Sequence, residues 1–122
     1  MKQEDFARVV DEALKGLPPK VRARVTEIPV VIKDRPTARE IRDADLPPGD
    51  ALLGLFSGTS LRDKTTWGEP GGMDRIILYR KPLEETCASR KELILEIQKT
   101  VIHEVGHFLG MEEEDLERLG YD

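Results

Sequence analysis

Two histidines, the only ones in the 122-residue chain, stand four residues apart in the stretch VIHEVGHFLG, at His103 and His107. On a helix, residues at this spacing lie one above the other, so two imidazoles can bind one metal ion. Zinc accepts neutral imidazole nitrogen, and Glu104 stands beside the first histidine, where its carboxylate can take a proton from water. The spacing therefore predicts a zinc site with His103 and His107 as ligands and Glu104 as the general base of amide hydrolysis.

Both histidines also lie on the polar side of the helix that we predict over residues 89–109. At about 100° per residue, the large apolar residues of this segment fall on the other side. They are Ile94, Ile97, Val101, Val105 and Phe108. A histidine that only fills the core would lie among these apolar residues. The opposite placement favours a metal site over a structural role for the pair.

A zinc site of this kind needs a third protein ligand, and the spacing indicates where it lies. In the metzincin pattern, His-Glu-x-x-His-x-x-Gly-x-x-His, a glycine turns the chain and the third ligand follows three residues later. Gly110 and Glu113 occupy these two positions, and a carboxylate is an accepted zinc ligand. The neighbouring acids are Glu112, Glu114 and Asp115. Acids also suit the first turn of a helix, so the ligand stays open among these four, with Glu113 favoured by spacing.

The remaining sequence predicts a single α+β domain over residues 1–122. Helical periodicity and stop signals predict four helices, at 4–16, 19–25, 89–109 and 114–120. Runs of β-branched and other apolar residues predict three strands, at 27–34, 51–58 and 74–82. The polar stretch 35–50 is predicted to be a loop with one helical turn. This order predicts a minimal fold, a small sheet of three or four strands beside one long helix and flanking helices.

Composition and net charge indicate which partners and which cellular compartment suit the chain. The net charge of −5 argues against nucleic acid and against anionic membrane surfaces, because both recruit basic proteins. No apolar run approaches the roughly 18 residues of a membrane helix, and the acidic N-terminal stretch is unlike a signal peptide. A lone cysteine, Cys87, suits a reducing compartment. These features predict a cytoplasmic protein, and its many charges without asparagine are typical of thermostable proteins.

Three segments, HEVGHFLGMEEEDLERLGY, LLGLFSGTSL and RIILYRKPLEE, together resemble the small bacterial zincin-like metallopeptidase family. The resemblance implies a minimal zincin fold, in which a short sheet supports the helix that carries the motif. It also implies one zinc ion (Zn²⁺) per chain, with His103, His107 and Glu113 as ligands and Glu104 as the base. The implied substrates are peptides or proteins.

Two functions remain open at this point: a zinc-dependent peptidase, and a zinc-bearing module that binds a peptide or protein without cleaving it. Glu104 favours the peptidase, since a binding module needs no base at that place. Tyr79 and Tyr121 are candidates for stabilising the oxyanion that peptide hydrolysis generates. Trp67 lies in a glycine-rich loop that we expect either to anchor on the core or to cover the site. One sheet edge is a candidate surface for pairing with an extended peptide.

Overall fold

The structure is a computed structural model that describes residues 1–57 and 74–108, with backbone alone for positions 107 and 108. Within these residues the chain forms five helices and three strands, which confirms the predicted α+β class. In chain order they are α1 (Gln3–Lys15), α2 (Pro19–Val25), β1 (Val30–Lys33), α3 (Ala38–Ala44), β2 (Gly54–Ser57), β3 (Arg75–Tyr79), α4 (Arg80–Thr86) and α5 (Arg90–Phe108). None of the described helices is long and apolar enough to span a membrane.

The three described strands form one mixed sheet in the order β1-β3-β2. Strand β1 runs parallel to β3, with Val30 opposite Ile76, and β2 runs antiparallel to β3, with Gly54 opposite Leu78. Strand β3 is central, and four of its five residues are buried. A strand that is covered on both faces carries a continuous apolar run, and the sequence IILY of β3 meets this requirement.

The two faces of the sheet bury different clusters. Ile76 and Leu78 of β3 belong to the main core, together with apolar residues of α1, α2 and α5. Ile77 and Tyr79 point to the other face, as the alternation of a strand requires, and join Leu52 in a smaller cluster. Segments near α3 cover this second cluster. The sheet is therefore a middle layer, with α1 and α5 on one side and α3 on the other.

Helix α5 is buried along more of its surface than its apolar stripe predicts. Ile97, Val101 and Val105 of that stripe are buried as expected, and Ile94 is half-buried. Ile102 is also buried, with 1 % of its surface exposed, although it stands next to His103. The reason is that α5 lies between the sheet and the pair α1 and α2, so two of its sides are covered. The side chain of Phe108, predicted to share the stripe, lies outside the described residues.

One predicted boundary is wrong at the C-terminal end of β3, where the structure has a helix that was not predicted. The predicted strand 74–82 ends at Tyr79, and α4 begins at Arg80. Pro82 lies in the first turn of α4, where a missing backbone N–H costs no hydrogen bond. The predicted strands 27–34 and 51–58 are present but shorter, as β1 and β2. The predicted helix 114–120 and the loop 59–73 lie outside the described residues.

The stretch 35–50, predicted to hold one helical turn, contains the seven-residue helix α3. A capping box starts it: the Glu40 amide donates to Thr37 Oγ1 at 3.1 Å, and the Thr37 amide donates to Glu40 Oε1 at 2.8 Å. The sequence Thr-Ala-Arg-Glu is the signature of this motif, so the signal for α3 was present in the sequence. Asp45 ends the helix in the left-handed conformation, with φ of 51°.

Glu40 also ties α3 to the central strand. The hydroxyl of Tyr79, which is fully buried, donates to Glu40 Oε2 at 2.5 Å, and Lys33 Nζ lies 3.8 Å from the same oxygen. Burial and then the Glu40 carboxylate raise the pKa of Tyr79 above its usual range. In return, the hydrogen bond from Tyr79 lowers the pKa of Glu40. The pair therefore stays as a neutral tyrosine bound to a carboxylate.

Replacement of Glu40 by glutamine tests this tie. Because the pKa of Glu40 is lowered in the folded state, its contribution to stability is present above the usual carboxyl pKa and is lost as the pH falls. We expect Glu40→Gln to lower the free energy of unfolding by about 1 kcal/mol at pH 7, a modest value for a charge-assisted hydrogen bond near solvent. Urea denaturation of both proteins between pH 7 and pH 3 measures the difference, which should shrink at low pH. A difference that is independent of pH would contradict the assigned bond.

Candidate active site

Helix α5 lines one wall of a groove of about 390 Å³ with the residues of its polar side. Glu96, Thr100 and His103 face the groove because they recur at helical spacing, and Glu104 lies at its end. The opposite wall consists of Leu46 and of the segment 51–54, which leads into β2. The volume lies at the small end of the range for ligand sites, roughly 300–1,000 Å³. His103 and Glu104, predicted from sequence to work together, are thus on one surface and half-buried.

The carboxylate of Glu104 lies at the edge of β2 that faces away from β3. The Phe56 backbone N–H donates to Glu104 Oε2 at 3.1 Å. The Tyr79 amide donates to the Leu53 carbonyl, so alternate residues from Leu53 onward bond to β3, whereas Gly54 and Phe56 direct their backbone groups away from it. The general base predicted from sequence is therefore held by a backbone group of β2 that does not bond to β3.

Gly54 allows β2 to approach α5 this closely. A Cβ atom at position 54 would lie 2.5 Å from Thr100 Cγ2 and 3.1 Å from the carbonyl oxygen of Ile77, closer than such atoms pack. Glycine inside a strand often marks such a close approach. The apolar residues of the segment 51–58 predict a strand here, and Gly54 is the further signal in the sequence that points to the close approach. The roles of Gly54 and of the Phe56 amide emerged only from the structure.

Of the predicted zinc ligands, the structure describes the side chain of His103 alone. The backbone of α5 continues through Phe108, so position 107 follows one turn later on the same side of the helix as His103. Among the described side chains, no three of the types His, Cys, Asp and Glu lie together as a metal site. Glu113 and its acidic neighbours Glu112, Glu114 and Asp115 lie outside the described residues. The imidazole of His103 on a groove wall fits one ligand of zinc.

Tyr79 is not available to stabilise an oxyanion, contrary to the prediction. Its side chain belongs to the cluster on the face of the sheet away from α5, and its hydroxyl is bound to Glu40. A buried tyrosine whose proton is already donated to a carboxylate has no donor left for a substrate. The other two aromatic candidates, Tyr121 and Trp67, lie outside the described residues.

Sequence comparison relates the chain, including the residues of the groove, to a family of known proteins. The model of the zincin-like metallopeptidase family matches residues 25–121, which include β1, β2, β3, α5 and the whole predicted metal motif. A comparison with curated proteins gave no significant match. The matched range is well over half of the chain and contains the groove, with His103 and Glu104 on its wall. The chain therefore belongs to the zincin-like metallopeptidase family.

Proposed function

We propose that this protein is a zinc-dependent peptidase that cleaves peptide bonds at the groove between α5 and β2. The observation that carries this proposal is the position of Glu104, which lines the groove with His103 and whose carboxylate accepts the Phe56 N–H at the edge of β2. A carboxylate is useful there as a base for a peptide laid along that edge. Membership of a metallopeptidase family supports the same conclusion.

The chain's own residues supply a donor set that fits zinc. We assign His103 and His107 as imidazole ligands and Glu113 as the carboxylate ligand, one ion per chain, on the spacing of the motif. When bound, zinc supplies a Lewis acid that acidifies water and polarises a carbonyl group. His103 holds its place because α5 is anchored by buried residues before and after it, including Ile102 and Val105.

Glu104 moves the proton. Its carboxylate accepts a proton from water as that water attacks the peptide carbonyl, and it then gives the proton to the leaving amine. The side chain reaches the edge of β2, so a peptide paired with that edge would bring its carbonyl to the base. The backbone N–H and C=O of Gly54 are directed away from β3, on the same edge as the Phe56 N–H.

The substrate class follows from the same edge. An extended peptide or an exposed loop of a protein can add a strand beside β2, and the segment 51–54 that leads into β2 lines the groove where it would lie. We propose peptides or proteins as partners, and neither nucleic acid nor membrane, because the chain carries a net charge of −5. A cytoplasmic location remains the proposal that the single cysteine favours.

The proposed metal centre predicts about one zinc ion per chain. Elemental analysis of the protein after incubation with zinc and removal of excess metal measures the ratio. His103→Ala and His107→Ala should each abolish stoichiometric binding, since each removes one of few ligands. Glu96→Gln is the matched control, because Glu96 lines the groove without belonging to the proposed ligand set. A wild-type protein that takes up no zinc would contradict the metal assignment.

Substitution of the acids after Gly110 identifies the third ligand. We expect Glu113→Ala to weaken zinc binding by well over tenfold, in the range seen when a ligand or its close support is lost. Glu112→Ala, Glu114→Ala and Asp115→Ala serve as controls that remove the same charge from neighbouring positions. Competition with a chelator measures the affinities. If one of the neighbours is the sensitive position, the spacing argument is wrong although a site exists.

Glu104→Gln separates a peptidase from a binding module. Glutamine keeps the shape and retains an oxygen that can accept the bond from the Phe56 amide, but it cannot take a proton. We therefore expect unchanged zinc content and a loss of about 10²–10⁴-fold in the rate of cleavage of a broad peptide library. Glu96→Gln again serves as the control, as it removes one carboxylate from the same groove.

One result of the Glu104→Gln experiment would contradict the peptidase. A wild-type protein that is loaded with zinc, binds a peptide from the library and cleaves none faster than Glu104→Gln would be a zinc-bearing interaction module. The breadth of the library matters, because a narrow specificity would otherwise resemble inactivity.

A further inference from the structure

We propose that strand β2 positions the general base: the Phe56 backbone N–H orients the Glu104 carboxylate, and Gly54 sets the distance at which it can do so. This inference rests on the proposed function, which makes Glu104 the base. It adds two positioning residues that neither the motif nor the family match assigns. Neither residue supplies a reacting group.

The Glu104 side chain needs a partner that orients it, because it is flexible. It has several rotatable bonds, and holding it in one orientation costs conformational entropy. Misplacement of a reacting group by about 1 Å can lower a rate about 10²-fold. A hydrogen bond from a fixed donor restricts the carboxylate, and the Phe56 N–H, at 3.1 Å from Oε2, is such a donor.

The Phe56 N–H is held in place because β2 is held both by its pairing with β3 and by its packing against the core. Phe56 pairs with Ile76 of the central strand, and its half-buried side chain packs against the main core. Its N–H belongs to the set that points away from β3, so donation to Glu104 does not compete with the hydrogen bonds between β2 and β3. The strand can therefore hold the base without loss of its own pairing.

The distance between β2 and α5 is set where Gly54 meets Thr100. The Thr100 hydroxyl donates to the Glu96 carbonyl at 2.8 Å, which fixes the rotamer of the side chain and aims its methyl group at Gly54. Because a Cβ at position 54 would lie 2.5 Å from that methyl, any larger residue must push β2 away from α5. The Phe56 N–H, two residues along the same strand, would then move away from Glu104.

A double-mutant cycle at Gly54 and Thr100 tests this coupling. Thr100→Ser removes the methyl group and keeps the hydroxyl that bonds to the Glu96 carbonyl. In the wild-type background we expect Gly54→Ala to lower kcat about 10–100-fold, the effect of a small displacement of a reacting group, with zinc content unchanged and KM changed much less. In the Thr100→Ser background the same substitution should cost at most a few-fold, because the most severe contact, that with the threonine methyl, is gone and only the milder one with the Ile77 carbonyl at 3.1 Å is left. An equal loss of kcat in both backgrounds would overturn the proposal.

A second measurement does not depend on activity. Hydrogen exchange at the Phe56 amide, followed by NMR, should be slow in the wild-type protein and in Glu104→Gln, which keeps an acceptor. It should become at least tenfold faster in Glu104→Ala and in Gly54→Ala, and slow again in Gly54→Ala combined with Thr100→Ser. The Leu55 amide, which faces β3, is the internal reference and should not change. An exchange rate at the Phe56 amide that is the same in Glu104→Ala as in the wild-type protein would overturn the proposal.

The two readouts keep this inference separate from the proposed function. A protected Phe56 amide in a zinc-loaded protein that cleaves no peptide would leave the contact standing and overturn the peptidase, and with it the catalytic meaning of the contact. A cleaving enzyme whose Phe56 amide exchanges freely would keep the peptidase and overturn the positioning role.

Discussion

The contact between Gly54 of β2 and Thr100 of α5 is the constraint on which the rest of the site depends. Only a residue without a side chain fits there, since a Cβ would lie 2.5 Å from the threonine methyl. The close approach narrows the space between strand and helix to a groove and brings the Phe56 amide within 3.1 Å of the Glu104 carboxylate. One missing side chain thus sets both the width of the groove and the orientation of the proposed base.

Helix α5 can present polar residues to the groove because two of its other sides are buried against the sheet and against α1 and α2. Phe6, Val9 and Ala13 of α1 are fully buried against the same core as Ile97 and Val101 of α5. Full burial of each large apolar side chain contributes about 1.5–3 kcal/mol, so this surface holds the helix in place. Helix α1 precedes the range matched by the family model, yet it supplies part of the support for the helix that bears the motif.

Two pairs of polar groups inside the described part of the fold determine how the layers dock. The buried Gln98 donates from Nε2 to the Ala13 carbonyl at 3.0 Å, which joins α5 to the end of α1. Position 16, just after α1, is a glycine, and a Cβ atom there would lie 2.7 Å from the same Gln98 nitrogen. On the other face of the sheet, Tyr79 and Glu40 join β3 to α3 in a similar way. A buried polar group left without a partner would be costly, so these pairs also specify a single arrangement of the layers.

The sequence by itself determined the features that depend on local spacing. The repeat of α5 and the order of elements predicted the α+β class, and the interval between His103 and His107 predicted a metal motif on a helix, because periodicity is a property of neighbouring residues. Tertiary structure alone decided that the Tyr79 hydroxyl is committed to Glu40, and that the Phe56 amide binds Glu104 from 48 residues away. No local pattern encodes such a contact, since it exists only after the sheet has paired and the helix has packed against its edge.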